Sequence, residues 1–192
     1  PNEPTQWNDS DLDGYGDSII GTRGDSCPNT YGTSTYNNTL GCPDDDFDGW
    51  ADIDDKFQLD SSQWLDGDGD GYGNELNGFE GDSCPAFTGN STNDKFGCLD
   101  SDGDGWSDDG DTLSSNPTQW LDRDGDGFGD NQSGTEPDAF PTDGTQWIDS
   151  DNDGYGDNIL GNQGDAFPDD PLEWADTDGD EVGNNADAFP FD

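Results

Sequence analysis

The feature that most constrains this chain is an internal repeat: a unit opening with Asp-x-Asp-x-Asp occurs seven times. The first Asp is Asp9, Asp44, Asp66, Asp100, Asp122, Asp149 or Asp176. The third position is Asp11, Asp46, Asp68, Asp102, Asp124, Asp151 or Asp178, and the fifth is Asp13, Asp48, Asp70, Asp104, Asp126, Asp153 or Asp180. The sixth is Gly except at Glu181, and the ninth is Asp17, Asp52, Asn74, Asp108, Asp130, Asp157 or Asn184. A closing Asp follows the first by 11 residues at Asp55, Asp111 and Asp187, and by 16 at Asp25, Asp82, Asp138 and Asp165. Two loop lengths share one plan of acids.

A hydrophobic core cannot hold such a chain. Only 26% of its 192 residues are hydrophobic, and 48 acidic side chains face 4 basic ones, a net charge of −44. Composition of this kind reads as disorder unless something other than apolar burial offsets the entropy of ordering. The acids recur at fixed spacing with Gly rather than in blocks, which argues against a plain acidic tail. So negative a surface repels nucleic acid and anionic lipid, so neither is an expected partner. No apolar run is long enough for a signal peptide or membrane span, so direct membrane insertion is not expected. Hard divalent cations remain.

The acids are placed as such cations require. Carboxylates at positions one, three and five of a tight turn converge on a point, Gly at six permits the bend, and position seven turns a carbonyl inward. Position seven is Tyr15, Trp50, Tyr72, Trp106, Phe128, Tyr155 or Val182. Position nine ligates directly or through water, and the closing acid binds with both oxygens. The sum, about six or seven oxygens, is the coordination calcium prefers, whereas magnesium demands a smaller octahedron and keeps its waters. The absence of His, with all four Cys arranged as pairs, argues against zinc and copper. One such motif is a moderate signal, with a solvated acidic turn as the rival reading; seven in register exclude that reading. Without cations each loop opposes its own closure by Coulomb repulsion. At a cation concentration a hundred times the dissociation constant, each site contributes ~2.7 kcal/mol to folding. The expected cofactor is calcium, about seven ions or more, one for each of the seven loops.

The linkers carry a second register. From closing Asp to next opening Asp is 11 residues in four linkers, and 19 or 18 in the two that contain Cys. Two residues after the closing Asp stands Cys27, Phe57, Cys84, Leu113, Phe140 or Phe167; two before the next opening Asp stands Cys42, Trp64, Cys98, Trp120, Trp147 or Trp174. Cys faces Cys and an apolar residue faces Trp. This predicts disulfides Cys27–Cys42 and Cys84–Cys98, with Phe or Leu against Trp as an interchangeable fastener. Trp50 and Trp106, in the two units whose preceding Trp is replaced by Cys, read as the same aromatic moved elsewhere. Paired Cys and the candidate N-glycosylation sites Asn8, Asn37, Asn90 and Asn131 point to an extracellular location, secreted or on the cell surface.

Gly and Pro interrupt the chain every few residues and no helical periodicity persists. The expected fold is irregular, with little regular secondary structure: an elongated calcium-stabilised tandem array of Asp-rich loops. Residues 1–192 read as one array, with repeats at approximately 5–41, 42–61, 62–97, 98–117, 118–144, 145–171 and 172–192.

Asp25-Ser26-Cys27-Pro28, Asp82-Ser83-Cys84-Pro85 and Asn116-Pro117-Thr118-Gln119, beside the Asp-x-Asp-x-Asp-Gly loops, resemble thrombospondin type 3 repeats over about Thr5 to Asp192. The resemblance implies an extended, calcium-ordered wire in secreted matrix or cell-surface proteins. It also implies more than one calcium per motif, with Asp54 and Asp109 as candidate extra ligands. Phe and Trp replace most of that family's cysteines, as at Asp138-Ala139-Phe140-Pro141 and Gln146-Trp147, a variant similar to repeats in large prokaryotic surface proteins. The flanking helices of EF-hands and dockerins and the nonapeptides of calcium β-rolls have no counterpart in the sequence.

No enzyme is expected. There is no His, Lys56 and Lys95 supply the only side-chain amines, and the carboxylates repeat identically instead of pairing with separated pKa values. The function read from the sequence is a calcium-rigidified spacer or filament-forming segment. Its expected partners are itself, head to tail with Phe189 approaching Trp7, or further repeats of the same chain. The alternative is a calcium-dependent adhesin that binds glycans or matrix proteins through the Cys-bounded inserts 28–41 and 85–97, rich in Thr, Ser, Asn and Gly.

Overall fold

A computed structural model describes residues 5–192; the start of the first linker, residues 1–4, lies outside the described residues. Among the described residues there is no helix and almost no strand. The β pairing consists of isolated parallel bridges, Gly16 with Gly24, Gly129 with Pro137 and Gly156 with Gly164. The chain forms two compact units, Pro1–Leu99 and Asp100–Asp192. The first carries the loops opening at Asp9, Asp44 and Asp66, the second the other four.

What is buried is polar. The buried hydrophobic residues are Tyr15, Cys42, Ala51 and Cys98, while the largest side chains below 2% exposure include Gln63, Gln119, Gln146, Asp25 and Asp138. Buried polar groups persist only where hydrogen bonds or ions satisfy them. The loops supply most of those bonds themselves.

Each opening carboxylate organises its own turn. Asp122 accepts the Gly125 N–H at 2.7 Å on one oxygen and the Gly127 N–H at 2.9 Å on the other, and Asp44 does the same with Phe47 and Gly49 at 2.8 and 3.1 Å. Aiming both amides inward requires positive φ at positions four and six, observed at 65–87° and 72–102° across the seven loops. Sequence reasoning marks only position six. Position four carries Leu12, Phe47 and Asn152 as well as Gly, and for an L side chain the left-handed conformation costs about 1–2 kcal/mol.

Position nine closes the loop into a ring. The Asp130 N–H donates to the Leu121 carbonyl at 2.8 Å, and the side chain turns back so that Asp17 accepts the Ser10 N–H at 2.8 Å and Asn74 the Gly67 N–H at 2.7 Å. The closing Asp then docks by its N–H on the position-eight carbonyl. In short loops Asp55 reaches Ala51 at 2.9 Å and Asp111 reaches Ser107 at 2.8 Å, each through a single four-residue turn. In long loops Asp82 reaches Gly73 at 2.7 Å and Asp138 reaches Gly129 at 2.9 Å after a detour. Five extra residues, 16 minus 11, thus leave the anchor unchanged.

In the linkers, disulfides join Cys27 to Cys42 and Cys84 to Cys98. The expected fastener is not among the ring pairings of the described residues, where the Trp rings meet none of Phe57, Phe140 or Phe167. Each linker Trp stacks on the position-seven ring of the preceding loop: Trp64 on Trp50 at 6.1 Å, Trp120 on Trp106 at 6.2 Å, Trp147 on Phe128 at 5.4 Å and Trp174 on Tyr155 at 5.0 Å. The reason lies in the backbone. Trp147 accepts the Ala139 N–H at 3.1 Å on its carbonyl, one residue past the closing Asp, and its side chain then reaches the loop just completed. In the Cys linkers Leu40 and Phe96 occupy this register, accepting from Ser26 and Ser83 at 2.8 and 2.9 Å, and Phe96 lies against Tyr72. Cys42 and Cys98 therefore sit two residues beyond the Trp place, not in it. Trp50 and Trp106 fill the ordinary position-seven place.

Candidate metal centres

In each of five loops, at Asp9-Asp11-Asp13, Asp44-Asp46-Asp48, Asp66-Asp68-Asp70, Asp100-Asp102-Asp104 and Asp122-Asp124-Asp126, ligand oxygens of the three acids lie within 4.8 Å of one another. One cation can span that spread at the ~2.4 Å metal–oxygen distance calcium takes.

The hydrogen bonds explain which oxygens face inward. Position five spends its Oδ1 on the N–H of position seven, as in Asp48 with Trp50 at 2.7 Å and Asp126 with Phe128 at 2.9 Å. The second oxygen of Asp48, Asp126 and Asp153 is then buried without a hydrogen-bond partner. Asp13 and Asp70 differ, accepting the N–H of Gly32 at 3.4 Å and of Gly89 at 3.0 Å from the Cys-bounded inserts. At position three, Asp68 and Asp124 have both oxygens buried and unpartnered.

The closing acids lie beside the cluster, close enough to feel its charge. Each accepts on Oδ1 the N–H two residues on, as in Asp25 from Cys27 and Asp138 from Phe140 at 2.7 Å. In all four long loops the closing Oδ2 has no hydrogen-bond partner, on side chains of 0–2% exposure. Burial, followed by repulsion from Asp126, Asp124 and Asp130, pushes the Asp138 carboxyl up to about 6. Burial and the acids at positions five and three likewise hold Asp25, Asp82 and Asp165 above the ordinary range, as they do Asp55 and Asp111 in short loops. A group so placed either takes up a proton or receives a cation.

The ligand sets fit a hard divalent cation. Every donor is oxygen, the chain has no His, and among the described residues no Cys is free. Several of these Asp groups could therefore hold metal ions. Positions one, three and five converge in this way, with the closing acid beside them. Position nine also fastens the loop by accepting the N–H of position two, which Asn74 and Asn184 do as well as Asp.

Other candidates divide. Asn8 donates its side-chain amide to Ser10 Oγ at 2.9 Å and Asn131 to the Thr118 carbonyl at 2.8 Å. Asn37 and Asn90 are exposed on the inserts. Asp54 accepts the Thr39 hydroxyl and so anchors an insert.

Sequence reasoning passed over the residue three before each opening Asp. It is Gln6, Gln63, Gln119 or Gln146 ahead of long loops, and Gly41, Gly97 or Glu173 ahead of short ones. That correspondence was a readable signal. No protein-family model and no curated protein matches the chain. Among the described residues no helix is long and apolar enough to cross a membrane.

Proposed function

We propose that this chain is an extracellular calcium-binding structural repeat protein of the thrombospondin type 3 kind, ordered and stiffened by its ions and without catalytic chemistry. The carrying observation is the set of closing acids in the long loops, at most 2% exposed, each with an unpartnered oxygen beside a carboxylate triad. Calcium suits this site better than magnesium because four carboxylates already surround the point, and magnesium is reluctant to give up its waters. The ion supplies the positive charge that lets these carboxylates stay together. The two disulfides agree with an oxidising compartment.

The experiment is chelation. Circular dichroism and protease resistance should collapse in excess EGTA and return with calcium but not with equimolar magnesium; a chain indifferent to EGTA sinks the reading.

The inserts bear on the adhesin alternative. Thr35 and Tyr36 donate to the Gly49 carbonyl at 2.7 and 2.9 Å, and Ser34 and Ser91 are fully buried. Backbone spent on the next loop favours a structural part over a display surface.

Assembly follows the pattern within the chain. Trp7 is 91% exposed, whereas the linker Trp residues that stack are partly covered. The same register would set Trp7 on position seven of a loop ahead of it, either in further repeats of the same chain or, in a tail-to-head contact between copies, on Val182 of the last loop, with its carbonyl against the Ala188 N–H rather than its ring on Phe189. Such a contact does not close on itself and propagates as a fibre. Light scattering in calcium tests it: Trp7→Ala should abolish assembly, and a strictly monomeric parent chain would remove the idea.

A further inference from the structure

The long loops raise a physical problem that the short ones lack. A closing acid brought back after five extra residues must be held as firmly as one delivered by a single turn, yet the detour has no apolar side chains to pack beneath it. Ile20 and Leu160, at the tips of two detours, are 94% and 92% exposed.

The buried glutamines hold it. Gln146, 1% exposed, donates its amide to the Asn158 and Asn162 carbonyls, both at 2.9 Å, and accepts the Asn158 N–H at 3.0 Å. Gln119 makes the same three bonds, to Asn131 at 3.0 and 2.9 Å and to Thr135 at 3.3 Å. One side chain thus ties both ends of the detour. The amide also presses on position eight: a Cβ on Gly156 would lie 2.0 Å from Gln146 Oε1. Gly156 in turn carries the carbonyl that receives the closing Asp165 N–H at 2.8 Å. Amide, position eight and closing carboxylate form one stack.

The short loops show the converse. Glu173 occupies the glutamine's place ahead of the last one and accepts the Asn185 N–H at 2.9 Å, where no detour offers carbonyls to a donor. Gly41 and Gly97 precede the other two, and there position eight is Ala51 or Ser107 instead of Gly.

We propose that Gln6, Gln63, Gln119 and Gln146 are positioning residues for the cation centres of the long loops: without touching the ion, they hold the closing carboxylate against the triad. The inference rests on the calcium reading above. It explains why a span of 16 residues and one of 11 end in the same ligand geometry.

Native mass spectrometry and calorimetric titration of the intact chain with calcium test it, using Gln146→Glu and Glu173→Gln as opposed variants. Gln146→Glu keeps the volume and the acceptor but sets a carboxylate against two carbonyls, so one site should weaken about a hundredfold, the other sites keeping theirs. Glu173→Gln should change no site by more than about threefold. Deleting residues 159–163 in the Gln146→Glu chain shortens the span to that of a short loop and should restore the site. If the parent chain takes up no calcium, the calcium reading itself falls. If the parent binds and Gln146→Glu binds equally, or if both variants lose equally, the positioning role is wrong. Loss of every ion from Gln146→Glu, or no rescue by the deletion, overturns it as well.

Discussion

The loop from Asp44 to Asp55 and the loop from Asp122 to Asp138 reach the same end by different means. Both set their opening carboxylate on the N–H groups of positions four and six, and both dock the closing N–H on the position-eight carbonyl. In the short loop that docking is a local turn from Ala51 to Asp55. In the long one it depends on Gln119, contributed from ahead of the loop. Burial differs accordingly, with Asp55 at 6% exposure and Asp138 at 0%. The geometry of a cluster is therefore set by where the chain is anchored, not by how many residues lie between the ligands. A detour is tolerated because closing a somewhat longer loop adds little entropy cost once its ends are fixed.

The strongest test of this equivalence removes the same ligand from each kind of loop. Asp48→Ala and Asp126→Ala should each lose about one calcium by native mass spectrometry, with protease sensitivity rising mainly in the altered loop and its neighbours, since repeat arrays couple chiefly to adjacent units. If one substitution empties several loops while the other empties one, the two lengths are not equivalent.

A smaller effect should separate the long loops from one another. Those opening at Asp9 and Asp66 have position five held by insert N–H groups, while those at Asp122 and Asp149 do not. Reduction of Cys27–Cys42 and Cys84–Cys98 releases loops closed over 15 and 14 residues, a loss of about 3 kcal/mol each in the chain-entropy view. Thermal unfolding with and without reductant should show the first unit, Pro1–Leu99, losing stability and the second unchanged. Most calcium should stay bound.

Protons should expose the difference in burial. Burial raises the pKa values of Asp25, Asp55, Asp82, Asp111, Asp138 and Asp165 in the metal-free chain, so their protonation favours the folded form. That contribution is present below the ordinary carboxylate pKa and is lost as pH rises through the folded value, about 6 for Asp138. The metal-free chain should become more ordered as pH falls from about 7 to about 4, while the loaded chain releases cations over the same window because their ligands must be deprotonated. Tryptophan fluorescence in chelator and titration with calcium at each pH would measure the two trends, and matching trends would contradict the assignment.

The mildest change concerns the stacks. Trp147→Ala removes a ring lying at 7° to Phe128 and should cost about 1 kcal/mol, with calcium retained. Differential scanning calorimetry reads it directly.

Much of this was legible in the residues and some was not, for a reason visible at particular positions. Asp44, Asp46 and Asp48 meet because a tight turn leaves them no other arrangement, and the Gly at position six announces that turn. The cysteines meet because each stands at the same offset from a closing or an opening Asp. That same offset misplaces Trp64. Its carbonyl bonds to Lys56, beside the closing Asp, and the ring turns to Trp50 instead of Phe57. At position nine, read as a ligand from its acidity, one oxygen of the side chain also accepts the N–H of position two.

The sequence by itself determined the irregular fold, the seven clusters of acids and the pairing of the cysteines, because each follows from local spacing or from a register that repeats. Only the tertiary structure decided where the Trp rings lie and how a glutamine holds a detour. Those contacts join residues 12 to 19 apart through a path that no local periodicity fixes, and their geometry appears only when the chain has turned back on its own carbonyls.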